Sequence, residues 1–316
     1  MQLLLKIEPV IFVETETLKC NDKKLLIVNV PRGNNKPYAV NKTEFWVKNG
    51  ADKRRATIEE LFRLMQSSNI LYADELDTRA TFENIDIEAF GNYYEKYYKE
   101  NLPELDIPVY KLLENLRLMS GNKLTLAGLL LFGKEVETVK PQFAIKATCF
   151  EGNDVSVNNY IDKEDITGKL IDQYKYSISF VKRNLKRIQT GNNFNIPSKI
   201  EIPEEAFSEA IANAIIHRDY FINSSIFVHI FYDRLEVISP GTLPNNITEE
   251  NIKYGVHIER NPTLISFLEK DEDFDYTGRG SGIPRIIRLC KNERIDCNFI
   301  NEVSTQRFKV VFKRKV

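Results

Sequence analysis

Two polar residues, Glu209 and Asn213, are spaced so that they can act on one ligand. They lie in a predicted helix that begins after Pro203, with acidic residues in its first turn and apolar residues at helical spacing. Residues four positions apart share one face of a helix. Ala212 and Ile216 are expected on the same side, and apolar neighbours favour a pocket over a purely solvated face.

A glycine-rich loop is the second candidate site. Its sequence is TGRGSGI over residues 277–283, and its glycines are Gly278, Gly280 and Gly282. An apolar stripe from Ile283 to Cys290 predicts an amphipathic helix directly after the loop. Free N–H groups and the positive end of a helix dipole favour an anion at such a start, so the loop can bind phosphate. The alternative is a flexible connection, because glycines also mark turns.

The composition is that of a globular protein. The chain has 316 residues, 42% of them hydrophobic, which is enough for two or three domains. Its 44 basic and 45 acidic residues give a net charge of −1, so binding to nucleic acid must come from local patches. The sequence shows neither a secretion signal nor a membrane span, so we expect a cytoplasmic protein that does not bind membranes. Scattered cysteines and histidines predict no structural zinc.

Changes in pattern along the chain predict an α/β protein with four segments. They are a small α/β unit (1–66), a helical connector (67–108), a middle α/β region (109–190) and a C-terminal unit (191–316). The main predicted strands are Leu3–Val13, Lys24–Val30, Glu44–Val47 and Gln142–Phe150. Three main helices are predicted: one beginning near Thr57, one around Phe90–Tyr98 and one covering Ile161–Ile188.

The run from Glu209 to Asn213 and the loop from Gly278 to Gly282 together resemble the N box and second glycine box of the GHKL superfamily of ATP-binding proteins. The resemblance implies a helix-over-sheet sandwich in which Asn213 binds Mg²⁺, Glu209 is the general base and the glycines wrap the phosphates. An amide oxygen suits Mg²⁺, and a carboxylate can orient or deprotonate an attacking water. The resemblance also implies a lid formed by roughly residues 243–277.

Four further residues are candidates for contacting the nucleotide. Arg279 and Ser281 lie inside the glycine loop, and a guanidinium can donate two parallel hydrogen bonds to a phosphate. His217 and Arg218 end the N-box helix, where they either contact phosphate or stabilise the helix C-terminus. The acidic run 271–275 is expected at a mobile tip of the lid.

A wider set of segments resembles the ATPase-like domain of bacterial transcriptional regulators that pair it with a Schlafen-type AlbA-like domain. In the ATPase-like part these segments are EAIANAIIHRDYF (209–221), IFVHIFYDRLEVISPGTLP (226–244), RNP (260–262) and the glycine loop. LLIVNVPRGNNKPYAV (25–40) and FWVKNGADKRRATIEEL (45–61) resemble the later strands of the AlbA-like domain. The resemblance implies a truncated AlbA-like domain over 1–66 and a GHKL-like domain over 191–316.

The first glycine box departs from the superfamily pattern. ATP-hydrolysing GHKL proteins carry there an Asp that accepts a hydrogen bond from the adenine amino group, whereas this chain has VISPG over residues 237–241. Ser239, close to Gly241, can take a weaker form of that role, directly or through water. Adenine specificity, and nucleotide binding itself, therefore stay open.

A basic turn is the candidate for binding nucleic acid. Its cations are Lys48, Lys53, Arg54 and Arg55, with the aromatic Phe45 and Trp46 beside them. Such a turn can contact phosphates and stack a base, although charged runs are more often solvated surface. The AlbA-like resemblance favours a nucleic-acid partner, expected to be DNA. The sequence leaves the oligomeric state open, including a homo-oligomer.

Two functions are compatible with these features. The first is a cytoplasmic transcriptional regulator that binds a nucleotide, expected to be ATP with Mg²⁺, hydrolyses it slowly at most and couples it to nucleic-acid binding. The second is a non-catalytic scaffold or DNA-binding module with a vestigial ATP pocket. Glu209, Asn213 and the glycine loop favour the first, and the missing first-box Asp favours the second.

Overall fold

A computed structural model describes most of the chain, and the chain divides into two compact units, Met1–Leu71 and Tyr72–Val316. The described residues are 6–20, 23–31, 37–50, 52–66, 68, 71–155, 159–189, 198–244, 247–255, 258–276 and 279–314. Within these stretches no helix is both long and apolar enough to cross a membrane.

The first unit contains three small antiparallel ladders and a helix. Its elements are β1 (Ile7–Glu8), β2 (Glu14–Cys20), β3 (Lys23–Asn29), β4 (Ala39–Val40), β5 (Trp46–Asn49), β6 (Asp52–Arg55) and α1 (Ile58–Gln66). β1 pairs with β4, β2 with β3, and β5 with β6. The strand predicted over Leu3–Val13 is reduced to β1 at the described positions, whereas the largely polar segment of β2 forms a strand that its composition did not indicate.

Helix α1 starts at a capping box, close to the predicted start at Thr57. The Thr57 hydroxyl accepts a hydrogen bond from the Glu60 N–H at 3.2 Å, and the Glu60 carboxylate accepts one from the Thr57 N–H at 2.9 Å. These reciprocal bonds satisfy two of the N–H groups that every helix start leaves without a partner in the helix.

The second unit begins with a small sheet covered by helices. Its elements are β7 (Asp77–Thr81), α2 (Ile87–Tyr98), α3 (Val109–Asn115), β8 (Met119–Ser120), β9 (Lys123–Thr125), α4 (Leu126–Phe132) and α5 (Val136–Val139). The strands lie in the order β7-β9-β8. Every residue of α4 is buried, which explains the uninterrupted apolar run in its sequence.

A six-stranded mixed sheet forms the rest of the second unit and confirms the expected α/β class. Its elements are β10 (Ile145–Phe150), β11 (Tyr160–Ile166), α6 (Leu170–Asn184), β12 (Arg187–Ile188), β13 (Lys199–Ile200), α7 (Glu204–Ile216), β14 (Ile226–Ile230), β15 (Arg234–Pro240), α8 (Pro262–Leu268), α9 (Gly282–Asn292), β16 (Cys297–Glu302) and β17 (Arg307–Lys313). The order is β11-β10-β14-β15-β17-β16, with β12 and β13 paired separately. β10 and β14 are parallel, and the other neighbours in this sheet are antiparallel.

Helices α6, α7 and α9 pack on one face of this sheet. α6 contacts β10 and β11, α7 contacts β15, and α9 contacts β16, while α7 lies between the other two helices. Val228, Val237 and Val310 lie side by side in register on the covered face, and all three are buried. Alternate strand positions therefore supply the apolar floor on which α7 rests.

The chain between residues 160 and 188 differs from the long helix that its sequence predicts. Residues 160–166 form the edge strand β11, and the helix starts only at Leu170. The charged residues of β11 are all compatible with a helix, so local propensity concealed the strand. Because β10 and β11 share a sheet with β14 to β17, this sheet contains residues from both sides of the boundary predicted at 190.

Part of the segment expected to form a lid, residues 243–277, packs into the core. Most of α8 is buried, and so are Phe274 and Tyr276. The acidic run is held down, because Lys175 pairs with Asp273 at 2.8 Å and the Tyr97 hydroxyl donates to Asp271 at 3.2 Å. Helices α2 and α6 thus supply partners for the acidic run that the local sequence does not reveal.

Asp74, which precedes β7 in the chain, is fully buried, and its side chain lies against the start of α8. Its Oδ2 accepts a hydrogen bond from the Leu264 N–H at 3.0 Å, and its Oδ1 has no hydrogen-bond partner among the described residues. Burial raises the pKa of Asp74 from 3.8 to about 7. Between these two pKa values the Asp74 carboxyl is protonated in the native state and ionised in the unfolded chain. The contribution of Asp74 to stability is therefore greatest in acid and decreases as the pH rises.

We predict that Asp74→Asn removes most of the resulting pH dependence. The free energy of unfolding of the wild type should fall as the pH rises from about 4 to about 7, by up to about 4 kcal/mol. Asn cannot ionise and can still accept from Leu264, so the variant should lose less. Urea unfolding at about pH 5 and about pH 8 measures the difference. Asp77→Asn, at an exposed position, is the control, and an equal loss in all three proteins would contradict the prediction.

Candidate functional site

A cleft of about 940 Å³, including its open mouth, lies between α7, the loop before α9 and the residues that follow β15. Its lining includes most of the residues that the sequence suggested for a nucleotide: Glu209, Asn213, His217, Ser239, Gly241, Arg279, Gly280, Ser281 and Gly282. The structure therefore brings the N-box helix and the glycine loop together. Gly278 lies outside the described residues.

The apolar part of the cleft comes from α7 and from the sheet below it. Ala210 and Ala214 line it, together with Val237 and Val310 of the central strands. The sequence placed Ala212 and Ile216 on this side, which is wrong. Apart from Glu204, Glu205 and Asn213, every residue of α7 is buried, so its apolar pattern could not show which side faces the cleft.

Glu209 and Asn213 are joined by hydrogen bonds. The Asn213 Nδ2 donates to the Glu209 carbonyl oxygen at 2.7 Å and to the Glu209 Oε1 at 2.9 Å. Only 3% of the Glu209 surface is exposed, whereas Asn213 is half-buried. Because both N–H groups of the Asn213 amide have partners, its Oδ1 is the atom left to bind a further group.

The first turn of α9 approaches this pair closely. A Cβ atom on Gly282 would lie 2.2 Å from Glu209 Oε1 and 3.0 Å from Asn213 Nδ2. One turn into α9, the Arg285 guanidinium lies 3.7 Å from Glu209 Oε2. Sequence spacing gave no sign of Arg285, because it does not show how α9 packs on α7 or which side of α9 faces that helix.

The surroundings of Glu209 act on its pKa in opposite directions. Burial raises the pKa, while the Asn213 amide and the Arg285 guanidinium lower it, and the net shift is upward. A carboxyl with a raised pKa is a stronger base than an ordinary Glu. It can therefore accept a proton from a bound water more readily.

Asn213 fits the role of a magnesium ligand. The described stretches contain no group of three or more His, Cys, Asp or Glu side chains able to hold a metal ion. Magnesium bound with a nucleotide needs few protein ligands, because it keeps several waters and binds phosphate oxygens. The Asn213 Oδ1 supplies one hard oxygen, since its amide nitrogen is held by Glu209.

The far wall of the cleft is fixed by Ser239, Gly241 and Arg260. The Ser239 hydroxyl donates to the Ala214 carbonyl at 2.9 Å, so its remaining capacity is as an acceptor. Gly241 has φ 110°, and a Cβ there would lie 2.5 Å from the Arg260 Nη1. Arg260 donates to the carbonyl oxygens of His217 and Thr242. The sequence marked Arg260 only as part of a motif, and the structure shows that it joins the end of α7 to the segment after β15.

His217 and Arg218 end α7 but point to different surroundings. The His217 Nε2 lies 3.3 Å from the Tyr276 hydroxyl, and both residues line the cleft. The sequence did not suggest Tyr276, which lies in the segment expected to be a lid.

Arg218 is a correction, because it does not line the cleft. It is 1% exposed, and its guanidinium lies 4.4 Å from the Phe143 ring centroid and 5.1 Å from that of Tyr220. It donates to the carbonyl oxygens of Ile222 and Ser224, and burial lowers its pKa to about 10. Its role is to hold the turn after α7, where long-range aromatic contacts draw it inward.

The four cations predicted to bind nucleic acid lie on the β5–β6 hairpin. Arg54 is a second correction, because the Glu60 carboxylate accepts hydrogen bonds from its Nη1 at 2.8 Å and its Nη2 at 2.7 Å. This pairing lowers the pKa of Glu60 to about 2 and fastens the hairpin to the start of α1. Arg55 pairs with Glu44 at 2.8 Å, while Lys48 and Lys53 have no ion pair within the described part of the chain.

Three family profiles match separate parts of the chain. Residues 1–57 match "Schlafen, AlbA_2", and residues 66–146 match a domain of unknown function, DUF8451. Residues 223–312 match "Putative ATP-dependent DNA helicase recG C-terminal", an ATPase-like family. These matches support the AlbA-like and ATPase-like architecture. The last match includes the glycine loop but begins after α7, so it does not cover Glu209 and Asn213.

A solved structure has a similar fold over nearly the whole chain. The crystal structure of the DIP2311 protein from Corynebacterium diphtheriae matches with a TM-score of 0.59 at 19% identity. The match covers 98% of this chain and 61% of that one, so the chain spans about three fifths of the length of this relative. At this identity the likeness shows the fold alone. A comparison with curated proteins gives no match.

We predict that Gly282→Ala destabilises the second unit. The added methyl group would collide with the Glu209 carboxylate, and relieving such overlap costs about 1–3 kcal/mol. Gly152→Ala is the matched control, because a Cβ there meets no atom within 4 Å and the backbone is not left-handed. The control should change stability by less than about 1 kcal/mol. Urea unfolding measures the stability of both variants. Equal stability would contradict the prediction, because it would show that α9 can move away from Glu209 without loss of stability.

Proposed function

We propose that the cleft binds ATP with Mg²⁺, hydrolyses it slowly and couples nucleotide binding to nucleic-acid association in a transcriptional regulator. The single observation that carries the proposal is the meeting of the Glu209–Asn213 pair with loop residues 279–282 in one cleft. A polar pair on one wall and a glycine loop on the other can act on the same phosphates.

The apolar end of the cleft suits a nucleobase. Ala210, Ala214, Val237 and Val310 give it flat, apolar walls that exclude water from a planar ring. Ser239 lies among them and can accept a hydrogen bond from an exocyclic amino group. A neutral hydroxyl stands where ATP-hydrolysing GHKL proteins carry a carboxylate. We therefore expect ATP to bind more weakly, by about 1.5–3 kcal/mol for the lost charge-assisted hydrogen bond.

The opposite end of the cleft suits phosphates. α9 starts at Gly282, and its first N–H groups and the positive end of its dipole lie at the glycine loop. Arg279 is exposed and lines the cleft, so its guanidinium can reach a terminal phosphate.

The chemistry follows from the two residues on α7. Bound magnesium would neutralise charge on the phosphates, and the Asn213 Oδ1 would be its protein ligand. Glu209, one turn earlier on the same helix, would orient a water and accept its proton. Arg285 keeps the carboxylate in place and limits the rise of its pKa.

We propose that the first unit binds the nucleic acid and that the cleft of the second unit binds the nucleotide. The support for the first unit is the match of residues 1–57 to the Schlafen AlbA_2 family and three exposed cations of the β5–β6 hairpin, Lys48, Lys53 and Arg55. Occupancy of the cleft would then alter the affinity for nucleic acid, and linkage requires that nucleic acid alter the affinity for nucleotide by the same factor.

We predict that ATP with Mg²⁺ stabilises the wild type and that two variants on α7 separate binding from chemistry. Asn213→Ala should abolish the magnesium-dependent part of binding, because it removes the metal ligand. Glu209→Gln should bind ATP but hydrolyse it about 10²–10⁴-fold more slowly, because the amide accepts from Asn213 yet cannot take a proton. Thermal shift and calorimetry measure binding, since a bound ligand stabilises the native state. Phosphate release measures turnover.

Glu205→Gln is the control for these variants, because Glu205 is exposed on the first turn of the same helix. It should match the wild type in both measurements. If wild type neither binds nor hydrolyses any nucleotide, and all three variants equal it, the cleft is vestigial and the chain acts as a scaffold or DNA-binding module.

A further inference from the structure

The β5–β6 hairpin separates its charges between two faces. In the antiparallel register Trp46 lies opposite Arg55 and Lys48 lies opposite Lys53. Side chains alternate along each strand, so these four residues share one face. We name them the Trp46 face. Three of its four members are cations, and the fourth is the only tryptophan of the chain.

The opposite face of the hairpin is electrically balanced. It carries Val47, Asp52 and Arg54, and Arg54 forms its two-pronged pair with Glu60. The positive charge of the hairpin is therefore concentrated on the Trp46 face. Sequence order alone could not reveal this, because Lys53, Arg54 and Arg55 are consecutive and look equivalent.

The Trp46 indole is hydrogen-bonded through its ring nitrogen and is partly exposed to solvent. Its Nε1 donates to the Glu44 carboxylate at 3.3 Å, and the same carboxylate pairs with Arg55 at 2.8 Å. Trp46 is 42% exposed, and the nearest cations, Lys53 and Arg55, lie 5.8 and 5.9 Å from its ring centroid. These distances are near the outer limit of a cation–π contact, so the cations flank the ring without packing tightly on it.

Lys48 and Lys53 form a like-charged pair across the strands. Like charges directly opposite each other in a ladder are unfavourable. No carboxylate within the described residues pairs with either lysine, whereas Glu44 and Glu60 pair with the two arginines. An anion placed between the two lysines would offset the repulsion between their charges. A bound phosphate would therefore stabilise the hairpin.

We propose that the Trp46 face binds an unpaired nucleotide of a single-stranded nucleic acid, with the base stacked on the indole and the neighbouring phosphate between Lys48 and Lys53. An aromatic ring beside cations recognises single strands by stacking bases and contacting the backbone. The bases of a duplex are stacked within the helix, so a duplex could use the lysines but not the indole. The proposal rests on the nucleic-acid part of the proposed function and narrows it to one class of ligand.

The sole tryptophan provides a direct test in the full chain. A mixed-sequence single strand of about 12 nucleotides and the matching duplex are titrated while tryptophan fluorescence and anisotropy of a labelled strand are recorded. The single strand should quench the fluorescence of Trp46, and the duplex should not. Trp46→Leu should weaken single-strand binding about 5- to 100-fold, and Trp46→Phe should recover part of the loss.

Charge variants on the two faces provide matched controls. Lys48→Gln and Lys53→Gln should each lower the slope of log affinity against log salt by about 0.7. Arg54→Gln removes the same charge from the opposite face and should leave the slope unchanged. Lys24→Gln on β3 is a second control, in case Arg54→Gln loosens the start of α1.

The possible failures are distinguishable. If single strand and duplex bind equally, without quenching and without an effect of Trp46→Leu, the stacking proposal is overturned while nucleic-acid association stands. If no nucleic acid binds at all, both fail, and ATP binding by the cleft is still decided separately by the variants on α7.

Discussion

The first turn of α9 lies so close to α7 that a single methyl group at position 282 would overlap the Glu209 carboxylate. This approach sets the geometry of the whole cleft. It brings the start of one helix against the Glu209–Asn213 pair of the other. Asn213 then holds the Glu209 carboxylate from one side and Arg285 from the other. A larger residue at 282 would force the Glu209 carboxylate or the first turn of α9 to move.

The back of the cleft depends on side chains that satisfy the carbonyl groups at the end of α7. Asn261 donates to the carbonyl oxygens of Ile216 and Arg218 at 2.7 and 2.9 Å, and Arg260 donates to that of His217 at 3.2 Å. The last carbonyls of a helix have no partner within it, so these bonds fix where α7 ends relative to the strand carrying Ser239. Asp74 extends the arrangement, because it accepts from the start of α8, the helix that follows Asn261. Buried polar groups therefore hold the end of α7 and the start of α8 in place.

Local sequence predicted the helices that carry the site but not the contacts that orient them. Apolar spacing and the glycines indicated α7 and α9 and their order, and the family resemblance placed the loop beside Asn213. Spacing failed where both a strand and a helix suit the same residues, as in β11, and where a side chain is claimed by a distant partner. Arg218 looked like a helix-capping cation, yet Phe143 and Tyr220 draw it into the core. Arg54 looked equivalent to Lys53, yet strand alternation turns it to Glu60. The first choice depends on tertiary contacts that periodicity does not encode, and the second depends on a strand at residues 52–55 that was not predicted.

We propose that one ligand joins α7 to the glycine loop. A crystal structure of the chain with magnesium and a non-hydrolysable ATP analogue would reveal where that ligand binds. We expect the base against Val237 and Val310 near Ser239, the phosphates at residues 279–282, and a metal ion on the Asn213 Oδ1. A nucleotide bound elsewhere on the chain, or an empty cleft at an analogue concentration that saturates binding in solution, would contradict it.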